Sequence, residues 1–444
     1  MTLTYSDAAK LIAGRGQAIR PDLGRMRALA ELLDHPERSY PSVHVAGTNG
    51  KSSTAQMVGA ILAAHGITAG IYTSPHLQSI RERWVLAGPG EAREERGVVS
   101  GLIAPEEMAS TLDYLVPFVE LVESERDEDV TYFELATTLA FEWMAAKTVD
   151  VGVIETGMGG VWDATNLVDA SVAILTHVAV DHALFLGPTP LDNAREKAGI
   201  IKPGAAVVSD AQEPEVAALL EERVTAAGGT LAVLGRDVHV VSDRQAVSGR
   251  LVGVEGRRGR YADLFVPLHG KHQTVNAAVA VAAAEQFLGR ELDEEAVRAG
   301  LASVRMPGRL EVVGREPLVV LDGGHNPAGA AALGPAIKET FGHRRTTMVI
   351  SVSADKDIAG MMAVLVPYAD RLIVTAGAGA RAADPEVLAA AVRPAGGVKA
   401  EIVPRLPEAI EASLSAAAPE DLVLIAGSLF AAGEARDLLV GPVE

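Results

Sequence analysis

A succession of short apolar runs, each closed by a Gly- or hydroxyl-containing turn and followed by a helical pattern, limits this chain to very few architectures. Ser42–Gly47 (SVHVAG) precedes the helical pattern SSTAQMVGAILAAHG, which stops at Gly66. ITAGIYTS (67–74), VDVGVIETG (149–157) and ASVAILTHV (170–178) follow, with the helix-spaced TYFELATTLAFEWMAAKT (131–148) among them. Runs apolar at successive positions suit strands buried on both faces, and strands alternating with helices imply βαβ units and a mainly parallel sheet. The rhythm restarts after SVRMPGRLEVV with PLVVLDGG, a helix from about Pro327, TTMVISVS, RLIVTAG and DLVLIAGS. The expectation is an α/β chain of two domains dividing near Val304–Pro307. Lys271–Gly289 reads as a helix ended by its glycine, and the polar stretches Gly88–Ser100 and Glu123–Asp129 read as surface loops.

Composition narrows the function. Of the 444 residues 22% are charged and 48% hydrophobic, as in a protein with large cores rather than a disordered one. The absence of cysteine excludes disulfides, Cys-ligated metal and a thiolate nucleophile, and fits a reducing compartment. A net charge of −19 argues against a nucleic-acid surface, and small anionic substrates would need cations gathered in a cleft. The start, MTLTYSDAAKLIAGRG, lacks signal-peptide character, and no run reaches the roughly 18 apolar residues of a membrane span. The expectation is a cytoplasmic protein with no membrane or nucleic-acid partner.

The chemistry concentrates where strands end, which is where sheets of this type place their sites. After the first strand comes Gly47-Thr48-Asn49-Gly50-Lys51-Ser52-Ser53, opening a helix. Backbone N–H groups at a helix start attract phosphate, Gly47 and Gly50 allow close approach, and Lys51 would offset triphosphate charge. Ser52 or Ser53 could reach a metal. Glu155 ends an apolar strand before a Gly-rich turn, a costly place for an unpaired carboxylate and a sensible one for a metal ligand. Ser74 and His182 follow two other strands and could join it. Asp181 could orient its neighbours, and His177 reads as structural.

The short loop G-T-x-G-K-[ST] resembles the nucleotide loop of the Mur ligases, ATP-dependent amide-forming enzymes. AGTNGKSS, TSPHL, YFELATTLAF, ETGMGGVWDATN, VDHALFLG, REKAGIIKPG, HQTVNAAVA, PGRLE, LDGGHNPAG, ADKD and GSLF come in the order of the folylpolyglutamate synthase/dihydrofolate synthase family, from about Tyr5 to Arg436. That resemblance implies a P-loop-type, mainly parallel ATPase domain over residues 1–304. A smaller Rossmann-like α/β glutamate-ligase domain would follow over 305–444. It implies ATP and two Mg2+ ions, one held by Ser74 and Glu155, the other by Glu155, His182 and a carbamylated Lys197. It also implies an adenine contact at Asn276, ATP contacts from Arg309 and Asp322, and a glutamate pocket at His325 and Ser428. Lys51, Glu155, His182 and Lys197 would form the catalytic set. The partners implied are L-glutamate and a reduced folate or dihydropteroate, with the chain acting as a monomer.

Two departures qualify the match. Gly324 stands where the family usually has Ala, and Gln78–Met108, which the resemblance implies helps shape a pterin pocket, is longer and more charged than usual. Acceptor preference therefore stays open: polyglutamation of tetrahydrofolates, the first glutamate onto dihydropteroate, or both. A cell-wall-building Mur ligase would carry a UDP-sugar domain before the loop, for which the 46 residues ahead of Gly47 leave no room. A ligase of this scaffold acting on a non-folate carboxylate is the remaining enzymatic alternative. A binding protein without catalysis would not require Lys51, Glu155, His182 and Lys197 together.

Overall fold

The computed structural model describes residues 3–16, 18–89, 98–379, 381–396 and 398–443. Eight strands form the first sheet: β1 (Ser42–Ala46), β2 (Ala69–Tyr72), β3 (Trp84–Pro89), β4 (Val98–Leu102), β5 (Val151–Glu155), β6 (Val172–Leu175), β7 (Ala206–Ser209) and β8 (Thr230–Val233). Their order is β4-β3-β2-β5-β1-β6-β7-β8. Only β3 and β4 run antiparallel to their neighbours, so the sheet is mainly parallel. Alternate residues feed the two faces. Val43, Val45, Val153 and Ile174 pack with helices Lys51–Ala64 and Lys271–Leu288, whereas Ala46, Ala173 and Leu175 join a core on the opposite side. Successive apolar residues are therefore required, which is why these strands read so plainly in the sequence. β1 lies between β5 and β6, so the connections diverge there, and their carboxyl ends open a crevice.

A second sheet was not legible in the sequence. β9 (His239–Ala246), β10 (Gly249–Glu255) and β11 (Arg260–Val266) form an antiparallel three-stranded layer in the order β11-β10-β9. Val252, Val254, Tyr261, Leu264 and Val266 seal one face against the Ala-rich helix Lys271–Leu288.

The third sheet holds β12 (Glu311–Arg315), β13 (Leu318–Leu321), β14 (Thr346–Ile350), β15 (Arg371–Ala376), β16 (Ala400–Arg405) and β17 (Leu422–Ala426), ordered β12-β13-β17-β14-β15-β16. All but the edge strand β12 run parallel. Val320, Met348, Leu372 and Leu424 pack with helices Pro327–Thr340 and Ile358–Leu365 on one face. Val319, Val349, Ile373 and Val423 pack with Leu406–Ala416 and Leu429–Leu439 on the other. This is the expected second α/β layer. Among the described residues no helix is long and apolar enough to cross a membrane.

Two loop expectations need correction. Glu123–Arg126 is the last turn of helix Pro105–Arg126, whose Leu112, Leu115, Val119 and Val122 face the core. Glu123 belongs to its polar face, paired with Arg15 and the Val130 N–H. Gly88–Pro89 finishes β3 and Val98–Ser100 begins β4, while residues 90–97 lie outside the described residues. Helices Tyr5–Ala13 and Gly24–Leu32 also buttress the first domain. From the second, buried Arg25 bonds Glu134 at 3.0 Å. Glu134 and Thr131 form a capping box that fixes where helix Tyr132–Ala146 starts. That fixes Tyr132 and Phe133 at the mouth of the cleft.

Candidate active site

The loop after β1 is set by backbone geometry. Gly50 has φ 87°, and a Cβ there would lie 2.4 Å from the Asn276 Oδ1, so this position excludes side chains twice over. Thr48 staples the loop to the segment after β6: its N–H donates to His177 O at 2.9 Å. Its hydroxyl donates to Ala179 O at 2.8 Å and accepts from Ala179 N at 3.0 Å. His177 thus serves through its carbonyl, a structural part. Gly50 caps the 14-residue helix Lys51–Ala64, so its N-terminal dipole faces the crevice. Lys51 donates to Thr48 O at 3.2 Å, and its Nζ is 4.0 Å from Glu155. Ser53 is buried behind the loop.

Glu155 ends β5 and is 1% exposed. Ser52 Oγ donates to its Oε1 at 3.0 Å and the Ser74 N–H to its Oε2 at 3.0 Å. Burial pushes its carboxyl up, against the pull of Lys51, the Ser74 N–H, the Ser52 hydroxyl and Arg309. Three expected residues therefore meet at the buried Glu155 carboxylate, Ser52 through its hydroxyl and Ser74 through its backbone N–H. His182 adopts a left-handed backbone, φ 50°, a strained setting for a residue with a side chain. Burial lowers its pKa to about 4 despite Asp181, so its imidazole is neutral and has a lone pair to give. Lys197 is also buried, at the end of helix Pro190–Lys197. Burial, helped by the charge of Lys51, brings its pKa down to about 7. No ion pair or hydrogen bond engages its amine among the described residues. The helix-neighbour salt bridge that would make it structural is not formed.

The third sheet closes the crevice. Asp322 accepts from Leu310 N at 3.0 Å and Gly324 N at 2.8 Å, and so holds the Arg309 turn. Arg309 lies against Gly323. His325 donates from Nδ1 to Gly323 O at 3.0 Å and places Nε2 4.0 Å from Asp181. Burial first, then Lys356, lowers its pKa to about 4. Ser428 is buried at the start of helix Leu429–Leu439. Asn276, buried on helix Lys271–Leu288, bonds Gln273 at 3.0 Å and supports the back of the loop at Gly50.

Two bridging residues went unassigned in the sequence, although ADKD and LDGGHNPAG contain them. Asn326 and Asn49 exchange side-chain hydrogen bonds at 3.0 and 3.2 Å, and Asn326 also donates to Asp181 at 3.2 Å. Lys356 donates to Asp181 at 2.8 Å. Burial alone would raise the Asp181 carboxyl, but His182, which carries a proton at the acid pH where Asp181 titrates, and Lys356 hold it well below the usual range. Asp181 thus orients both halves of the crevice. Beside it lies a cavity of about 630 Å³, with Ser74, His182, His325 and Ser428 on its walls. Tyr132, Phe133 and Trp162 add an aromatic side.

Among the described residues no three His, Asp or Glu side chains converge as a closed metal cage. The donors present still fit magnesium, which takes one or two carboxylates and draws its other ligands from phosphate and water. Glu155 supplies the carboxylate, buried between two hydroxyl-bearing residues.

This is the architecture of a nucleotide-dependent ligase with a second α/β domain over the phosphate loop. Residues 308–429 match the family model described as Mur ligase, glutamate ligase domain. The dihydrofolate synthase/folylpolyglutamate synthase of Mycobacterium tuberculosis is 39% identical over 451 aligned residues, covering 95% of this chain and 90% of that protein. The folylpolyglutamate synthase of Lacticaseibacillus casei is 33% identical, covering 95% of each. A solved structure of Mycobacterium tuberculosis folylpolyglutamate synthase complexed with ADP superposes with a TM-score of 0.91 at 38% identity over 98% of both chains. The chain belongs to the folylpolyglutamate synthase/dihydrofolate synthase family of Mur ligases.

Proposed function

We infer that this protein is an ATP-dependent ligase that joins L-glutamate to a reduced folate. Residues 1–304 would bind ATP and residues 305–444 would present glutamate. The observation that carries the reading is the joining of the phosphate loop to the glutamate-ligase domain through Asn49, Asn326, Asp181 and Lys356, beside a cavity large enough for an acceptor. The acceptor carboxylate attacks the γ-phosphate of ATP, giving an acyl phosphate and ADP. The amine of L-glutamate then attacks the acyl carbon, the amide forms, and phosphate leaves.

The protein's part is positioning and charge neutralisation. The loop N–H groups and Lys51 cradle the phosphates, and Arg309 approaches from the other domain. Asn276 would contact the adenine, and Asp322 keeps Arg309 in place. Ser74 and Glu155 would hold one magnesium ion, and Glu155, His182 and a carbamylated Lys197 a second; magnesium would screen the triphosphate charge. A neutral amine is what captures carbon dioxide, and the lowered pKa of Lys197 supplies one near neutrality. His325 and Ser428 would line the glutamate site. We also take the enzyme to act as a monomer in the cytoplasm. A second acceptor, dihydropteroate, is favoured by the double activity in the Mycobacterium relative's name. The test is isotopic: an acceptor labelled with 18O in its carboxylate should pass one labelled oxygen to the released phosphate. Unlabelled phosphate alongside amide product would refute the acyl phosphate route.

A further inference from the structure

Most cations on the cavity wall are already engaged. Lys356 is bound to Asp181, Arg83 bonds His76 at 2.9 Å and lies over the Tyr132 ring, and Arg20 reaches the Asp129 carbonyl at 3.4 Å. Arg381 differs. Its guanidinium sits 4.9 Å from the centre of the Phe430 ring, which is 44% exposed on the same wall. Among the described residues no carboxylate lies within ion-pair distance of Arg381, and no acceptor takes its side-chain N–H groups. A cation–π contact takes up none of the N–H donors of a guanidinium, which stay available to an anion. Their planar fork matches a carboxylate, which it binds through two parallel hydrogen bonds. Arg381 is exposed, so in this chain of net charge −19 its guanidinium meets solvent rather than a protein carboxylate and is accessible to an anion entering the cavity. The anion is not the triphosphate: the phosphate loop does not line this cavity, whereas Ser353, Ser428 and Phe430 of the second domain do.

We propose that Arg381, placed over the Phe430 ring, binds a carboxylate of a glutamyl group and thereby selects glutamate-bearing substrates. The inference rests on the ligase reading above. The carboxylate belongs either to free L-glutamate or to the glutamyl tail already on the acceptor.

Steady-state kinetics of Arg381→Ala, Arg381→Lys and Phe430→Leu, with L-glutamate and with reduced folate mono- and diglutamate, separate these sources. Loss of a bidentate charged contact should raise the relevant KM about 10- to 100-fold, with Lys and Leu intermediate and KM for ATP unchanged. A rise confined to L-glutamate assigns the free amino acid. A rise for the diglutamate acceptor, larger than for the monoglutamate, assigns the tail. Changes below about threefold for every carboxylate substrate, or an equal rise for ATP, overturn the proposal. A wild-type protein silent with all acceptors would instead refute the ligase reading. Calorimetric titration of wild type and Arg381→Ala with L-glutamate and with folate diglutamate still decides the carboxylate site: equal affinities for both ligands overturn it.

Discussion

Replacing Glu155 by Gln tests the division between holding the fold and handling charge. The amide is nearly isosteric. Its oxygen can still accept from the Ser74 N–H, and its NH2 can donate to Ser52 once that hydroxyl rotates, so neither 3.0 Å hydrogen bond need be lost. What disappears is the negative charge 4.0 Å from Lys51. At that separation the attraction is about 4 kcal/mol with an effective dielectric constant of about 20, offset by several kcal/mol for keeping a carboxylate out of water. The two nearly cancel, so the thermal midpoint of Glu155→Gln should stay within a few degrees of wild type. Catalysis has no such offset. Loss of one preorganised charged group at a transferring phosphoryl group costs about 3–4 kcal/mol, a fall in kcat of about 100- to 1000-fold. ADP release under saturating ATP, with thermal unfolding of the same preparation, measures both. A kcat within tenfold of wild type would refute the assignment, and a collapse of the midpoint with little change in kcat would make Glu155 a structural residue.

Three further outcomes follow from the same geometry. Gly50→Ala forces a side chain into a left-handed backbone and against Asn276, and should cost about 1–3 kcal/mol in urea unfolding together with ATP affinity; an unchanged variant would contradict the loop geometry. Asn49→Ala and Asn326→Ala should each weaken ATP turnover, and the double variant should lose less than the sum, with a coupling of about 0.5–3 kcal/mol; strict additivity would show that the amide pair does not join the domains. His44, wholly buried in β1 with Nε2 2.8 Å from the Thr165 hydroxyl, has its pKa lowered by burial to about 3. The unfolded chain takes that proton first, so stability is fully present above about pH 6.5 and is lost as pH falls toward about 3, by at most about 5 kcal/mol. His44→Gln should flatten that part of the acid-unfolding curve, and an unaltered slope would refute it.

The strand ends were legible because their signals are local. Gly47–Ser53 and Glu155 each sit within a few residues of an apolar run that cannot be anything but a buried strand. The antiparallel sheet was not legible, since β9 is largely exposed and register shifts near Val254 break the alternation of β10. The last turn of helix Pro105–Arg126 reads as part of a loop for a related reason: its polar residues look like surface unless Arg15 and the buried Val122 are seen beside them. The bridges were beyond reach for another cause. Asn49 and Asn326 are 277 positions apart, and Asp181 and Lys356 are 175 apart, so only the folded chain pairs them.

The most direct test of the account is ADP release by the purified protein with magnesium, bicarbonate and L-glutamate, given either a reduced folate monoglutamate or dihydropteroate. The account requires ADP and an acceptor lengthened by one glutamyl residue in equal amounts with the reduced folate; turnover with dihydropteroate as well would establish both activities. No glutamate-dependent ADP release with either acceptor would contradict it.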